Sequence, residues 1–219
     1  MIEKVLEETE NLSSDINDDN LFVKIWLNPT DTLKYILKNC PEKYVIILLV
    51  LGGIVRAIDR ASIKDMGDNM STLSVLGITI IFGGLFGWIA YYIYAWALSV
   101  TGEWLNGKSD PSQFRTIIAW SLIPSICTLI LLVPEVIIFG DDLFRSEPFN
   151  ESLLNTISWI MFGVIEIILA IWTLVILVNG ISLIQNFGIG KSILNMILPG
   201  LVIAIPIMAI ALLFGGMLN

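Results

Sequence analysis

Four stretches of this chain run for the thickness of a bilayer with at most one charge, and no other feature narrows its fold as much. Leu73 to Gly102 contains no Asp, Glu, Lys or Arg. Thr116 to Pro134 is a second such run, and Glu135 is followed by more apolar residues up to Phe139. Leu153 to Gly180 is interrupted only by Glu166, and Ser192 to Asn219 is uncharged throughout. A bilayer core about 30 Å thick needs roughly 20 apolar residues as helix, because backbone polar groups cannot stay unpaired in lipid. A fifth run, Tyr44 to Val55, reaches that length only by extending past Arg56 towards Ile58, with the arginine snorkelling. The chain therefore reads as an all-α membrane protein, a bundle of five transmembrane helices with a short N-terminal amphipathic helix. Composition agrees: 56% of the 219 residues are hydrophobic and 15% charged, against about 25% charged in soluble domains.

The same composition removes whole classes of function. There is no histidine, and Cys40 and Cys127 are far apart and form no CxxC pair. Zinc, haem and thioredoxin-type sites therefore have no signature, and neither a metal nor another cofactor is expected. Catalytic triads built on an imidazole base are excluded. A net charge of −8 argues against a nucleic-acid partner. No metalloprotease, nucleophile-elbow or P-loop motif is present, so no catalytic residue is assigned.

Three segments organise the chain. Residues 1–27 form an acidic tail, with seven acids against one lysine in the first 20 residues and no basic, then apolar, signal-peptide pattern. Residues 28–43 form a lead-in: Asn28-Pro29-Thr30-Asp31 carries an N-cap, a proline at the first helical position and an acid in the first turn. Leu33, Ile36 and Leu37 then share one face, flanked by Lys34 and Lys38. That pattern suits a helix lying on an anionic leaflet, and equally a lead-in packed on other spans. Residues 44–219 hold the five spans. With the N-terminus inside, eight of the twelve Lys and Arg residues are cytoplasmic and only Arg56, Arg60, Lys64 and Arg145 lie outside. The expectation is a multi-pass protein of the cell membrane, N-terminus cytoplasmic and C-terminus outside. A weak internal repeat relates spans two and three to spans four and five: Phe86-Gly87 precedes Trp96 as Phe162-Gly163 precedes Trp172, and Pro124 precedes Phe139-Gly140 as Pro199 precedes Phe214-Gly215.

Glu166 is the sharpest single feature. An acid near mid-span costs about 2.5–3.5 kcal/mol or more if left facing lipid, so it marks either a proton or solute site or a carboxyl hydrogen-bonded to a neighbour such as Tyr91 or Tyr94. Glu135, after Pro134, either lines a re-entrant stretch or is a boundary acid. Arg56, Asp59 and Arg60 lie one turn apart at the end of the first span. They form, with Arg115, a candidate interface or lipid-headgroup cluster, or a mutually paired anchor. Gly83, Gly84 and Gly87, with Gly163, offer small faces for close helix approach.

Several of these residues recur together in a known pattern. Asn28-Pro29, Asp59-Arg60-Ala61, the glycine-rich second span and Thr101-Gly102 with Leu105 and Gly107 come in order. Phe114-Arg115, Ala119-Trp120-Ser121, Pro124, Pro134-Glu135, Phe139-Gly140 and Leu143-Phe144 follow. From about Asn28 to Leu213 the chain resembles the prokaryotic branch of the YIP domain family, the Ypt/Rab-interacting membrane proteins. The resemblance implies five helices, a cytoplasmic N-terminus and no known enzymatic reaction. Eukaryotic relatives act in vesicle trafficking by binding prenylated small GTPases and each other. Their acidic-Leu-Tyr-Gly-Pro motif before the first span is absent here, so no residue is carried over for GTPase binding. Two functions compete. One is an interaction or organising protein whose partners are membrane lipids, a second copy or other membrane proteins. The other is a small-solute or ion permease using Glu166 and proline-interrupted helices.

Overall fold

The computed structural model describes residues 16–108, 110–147 and 152–215, and residues 1–15, with most of the acidic run, lie outside them. The described residues are helical, with no strand. Two short helices, α1 (Leu21–Leu27) and α2 (Pro29–Asn39), lead into α3 (Val45–Ile63) and α4 (Thr72–Trp104). A broken segment follows, α5 (Pro111–Ser121), α6 (Ile123–Ile126) and α7 (Thr128–Phe139), and then α8 (Leu153–Gln185) and α9 (Ile189–Gly215). Single 3-10 turns, Met66–Asp68 and Gly140–Asp142, sit in the connections.

Four segments are long and apolar enough to cross a membrane: Thr72–Trp104, Ile123–Asp142, Leu153–Gln185 and Ile189–Pro206. The helix expected as a first span, α3, does form, but Arg56, Asp59 and Arg60 in its second half keep it out of that group. The third segment is shifted along the chain from the expected Thr116–Pro134. The helix breaks around Leu122 and Pro124, and the residues before the break belong to the protein interior: Ile117, Ile118, Ala119 and Trp120 are all buried.

Local sequence explains the helix starts. Ser71 and Ser152 cap α4 and α8 by accepting the backbone N–H groups of Ser74 and Asn155, satisfying donors that no helical carbonyl can reach. At 33 residues each, both helices are about 50 Å long and overrun the hydrocarbon core. Helix α2 begins at Pro29 as expected, but Asn28 makes no side-chain capping bond. Asn28 instead bonds through its backbone: it ends α1 by donating its N–H to Lys24 O, and its carbonyl accepts Thr32 Oγ1 at 2.8 Å.

The core fills one end of the bundle. Leu33 and Ile36 of α2 are fully buried there with Phe114, Ile117, Trp120, Ile176 and Ile181, so the apolar face of the lead-in is occupied by protein. Leu21 and Ile25 of α1, in the stretch read as acidic tail, are also fully buried. Gly180 leaves room for this docking, since a Cβ there would lie 3.0 Å from Ile117 Cβ and 3.2 Å from Leu33 Cδ1.

At the same end, Asp110 caps α5 by accepting Ser112 N at 2.7 Å and Gln113 N at 3.1 Å. The N–H groups of Gln113 and Ser112 hold its carboxyl below the ordinary value. A depressed carboxyl stabilises the fold above its unfolded pKa near 3.9 and loses that contribution as pH falls through the lower folded value. Asp110→Ala is therefore expected to cost about 1 kcal/mol at neutral pH. The difference from wild type should shrink below about pH 4, as read from paired unfolding curves.

Candidate functional site

Three carboxylates that are distant in sequence meet at the other end of the bundle. Asp59 comes from α3, Glu135 from α7 and Glu166 from α8, and all three line a narrow throat of about 20 Å³. Two larger spaces share its lining residues Asp59 and Glu166. One, of about 420 Å³, contains the three acids with Trp159, Phe144 and Phe162 on its walls. The other, of about 410 Å³, shares Asp59, Gly163 and Glu166 and runs along α8 past Ile167 and Ala170.

Secondary structure delivers these groups. Glu166 lies on the order of 20 Å along α8 from Leu153, at 1.5 Å per residue. Glu135 follows Pro134 within α7 and is only 7% exposed. The rim is fixed by two connections bonded to each other. Gly67 N donates to Phe144 O at 2.7 Å, and Arg145 Nη1 donates to Gly67 O at 3.3 Å. Ser146 Oγ donates to Asp68 Oδ2 at 2.7 Å, and Thr72 N donates to Asp141 Oδ1 at 3.0 Å. A Cβ on Gly67 would lie 2.7 Å from the Phe144 carbonyl, so this rung admits only glycine. Ser125 lines the second of these spaces, and its hydroxyl lies 2.9 Å from that of Thr173.

Among the described residues, none donates a hydrogen bond to Glu135 or Glu166. The tyrosines expected as partners are engaged elsewhere: Tyr91 donates to Gly52 O at 3.1 Å and Tyr94 to Met196 O at 2.9 Å. Among the described residues Asp59 makes no salt bridge with Arg56 or Arg60, which are exposed and do not line the cavity. Arg115 stands apart, its guanidinium carbon 5.0 Å from the Tyr92 ring centroid. Among the described residues no group of three His, Cys, Asp or Glu is close enough to hold a metal ion.

The glycines separate into different roles. A Cβ on Gly53 would lie 2.7 Å from both Gly83 O and Gly87 Cα, so Gly83 and Gly87 let α4 close onto α3. Gly84 meets only Ile54 and Val50 side chains, at 3.8 Å and beyond. Gly163 has nothing within 4 Å and forms cavity wall. Phe86-Gly87 also lies about a turn and a half deeper in its helix than Phe162-Gly163 does, so the two halves of the sequence repeat occupy different environments.

Sequence reasoning missed a second polar centre, near the core. Gln185 Oε1 accepts Lys108 N at 2.8 Å, and Gly102 and Gly107 both press against its amide. Asn195 Nδ2 donates to Thr101 Oγ1 at 2.9 Å and Leu98 O at 3.1 Å. These contacts account for Thr101-Gly102 and Gly107, each of which leaves space or an acceptor for a buried amide. A family model, the Yip1 domain, matches residues 23–211 of the chain, from within α1 into α9. The protein belongs to the Yip1 domain family. No curated protein and no solved structure matches it. The match includes both polar centres and the glycine contact, so all three are features of this Yip1 domain. The family is associated with membrane trafficking, and its members are not known as enzymes.

Proposed function

We propose that this Yip1 domain protein is a non-enzymatic interaction or organising factor of the cell membrane, with a role akin to membrane trafficking. Its Yip1 domain membership over residues 23–211 carries the reading. In it α3 is the first of five spans, its charged second half placed at the cavity end. The N-terminus is cytoplasmic and the C-terminus outside. Exposed Lys34, Lys38 and Lys108 at the N-terminal end support that orientation. They also suit contact between α2 and anionic lipid headgroups. Its partners are a second copy or another membrane protein, seated on apolar helix faces such as that of Phe82 and Phe86 on α4. No small GTPase is proposed, because the motif for it is absent.

A permease is the weaker reading because, among the described residues, packed core lies next to the cavity. Beyond Ser125 and Thr173, the next turns of α3, α6 and α8 place Leu49, Ile123 and Ile176 in packed core. Extraction in native lipid discs followed by native mass spectrometry tests the proposal. The expected result is discrete added mass matching a second copy or another protein subunit. A solitary monomer carrying a small non-lipid solute, lost on Glu166→Gln, would replace it with the permease.

A further inference from the structure

We propose that the cavity formed by Asp59, Glu135 and Glu166 is a binding site for an alkylammonium group, supplied either by the headgroup of an aminophospholipid or by a soluble diamine. The inference goes beyond the organising role and holds whether or not the chain recruits a protein partner.

The need for a cation comes from the acids themselves. Glu135 is more than nine-tenths buried, faces into the throat and accepts no hydrogen bond from any described residue. A carboxylate with so little access to water is costly to keep ionised unless it gains a partner. Asp59 and Glu166, both exposed, line the same throat, and no lysine or arginine lines any of the three neighbouring spaces. A cationic partner for the ionised form would have to come from outside the described residues.

The lining then selects the kind of cation. Among the described residues the acids do not converge closely enough for a metal ion, so a compact divalent cation has no ligand set. The larger space instead presents Trp159, Phe144 and Phe162 beside the carboxylates. Indole is the strongest aromatic partner for an ammonium, and aromatic walls with carboxylates are how organic cations are held. A volume of about 420 Å³ falls within the usual range for small-molecule sites.

Both sources of the ammonium have a way in. A soluble diamine would enter at the rim formed by Leu143 and Phe144. An aminophospholipid would enter along the second space, where Ile167 is 61% exposed on the flank of α8 and offers a track for an acyl chain. Its phosphate would then lie near Arg56 and Arg60, which flank Asp59 on α3 and are exposed.

The full chain is placed in discs of phosphatidylglycerol, which contains no amine. One arm adds phosphatidylethanolamine and reads retained lipid by native mass spectrometry. The other adds putrescine and reads binding by equilibrium dialysis. Wild type is expected to retain one amine-bearing molecule. Glu135→Gln keeps side-chain shape and is expected to lower retention at least about tenfold, as for loss of a buried charge partner, and Glu166→Gln, at an exposed position, by a smaller factor. Glu103→Gln, exposed at the far end of α4, is expected to behave as wild type. Should a cavity variant not fold, Trp159→Leu removes the aromatic wall and is expected to weaken retention as well. Retention of phosphatidylethanolamine alone assigns the lipid source, putrescine alone the soluble source, and both an opening to each. Failure of wild type to retain either, or retention unchanged in the variants, overturns the proposal.

Discussion

Trp120→Ala is expected to cost about 3–5 kcal/mol, the range for removing a buried aromatic side chain with incomplete collapse of the void. Trp120 is fully buried and packs against both Phe22 and Tyr44, with ring centroids at 5.2 and 6.2 Å. Its indole N–H donates to Lys43 O at 3.2 Å, fixing the entry to α3. The ring thus joins α1, α3 and α5, and its loss should loosen the lead-in before the long helices. The reading is a lowered unfolding midpoint in detergent together with faster proteolysis at Leu21–Leu27. Trp120→Phe separates the two contributions. It keeps most of the packing but leaves a carbonyl unpaired, for about 1 kcal/mol. If the alanine variant unfolded at the wild-type midpoint, the core at this end would not be what holds the bundle.

Gly53→Val should be as damaging for a different reason. Its first added carbon meets backbone, Gly83 O and Gly87 Cα, so no side-chain rotation relieves the clash and the helices must part. Overpacking usually costs about 1–3 kcal/mol, and a backbone obstacle puts this variant at the upper end or beyond. Gly84→Ala is the comparison, because its Cβ has 3.8 Å of clearance and the stability change should be within about 0.5 kcal/mol. Thermal melts of the two variants side by side settle the matter. Equal midpoints would mean that α3 and α4 are not in register as described.

What the sequence disclosed, and what it hid, follows from the physics of each signal. Charge-free runs are legible because lipid tolerates no alternative, and α4, α8 and α9 appear where those runs lie. The third run was displaced because an apolar residue faces either lipid or protein, and periodicity cannot separate Ile117 buried in the core from Ile130 exposed on α7. Glu135 and Glu166 stood out singly as charges in apolar surroundings. Asp59 did not join them in sequence, because its neighbours Arg56 and Arg60 suggested pairing along one helix, whereas the structure turns the acid into the cavity. Gln185 and Asn195 escaped notice because amides carry no charge, although burial makes their hydrogen bonds just as obligatory. Gly53 was passed over beside the denser Gly83, Gly84 and Gly87, since a close crossing needs small residues on both helices and only one side shows a stripe.

The rung between the two connections has a consequence for biosynthesis. Arg145 reaches Gly67 across 78 residues of chain, as Ser146 reaches Asp68. At about 5–20 residues per second, a ribosome needs roughly 4–16 s to supply the later partner. Trp104, the last residue of α4, precedes Arg145 by 41 residues, so for about 2–8 s of that interval α3 and α4 are complete while their connecting turn lacks its cross-chain partners. The hairpin must then be held by contacts between α3 and α4 themselves, the Gly53, Gly83 and Gly87 approach and the Tyr91 hydrogen bond to Gly52 O among them, so this interface has to be strong early rather than merely strong at the end.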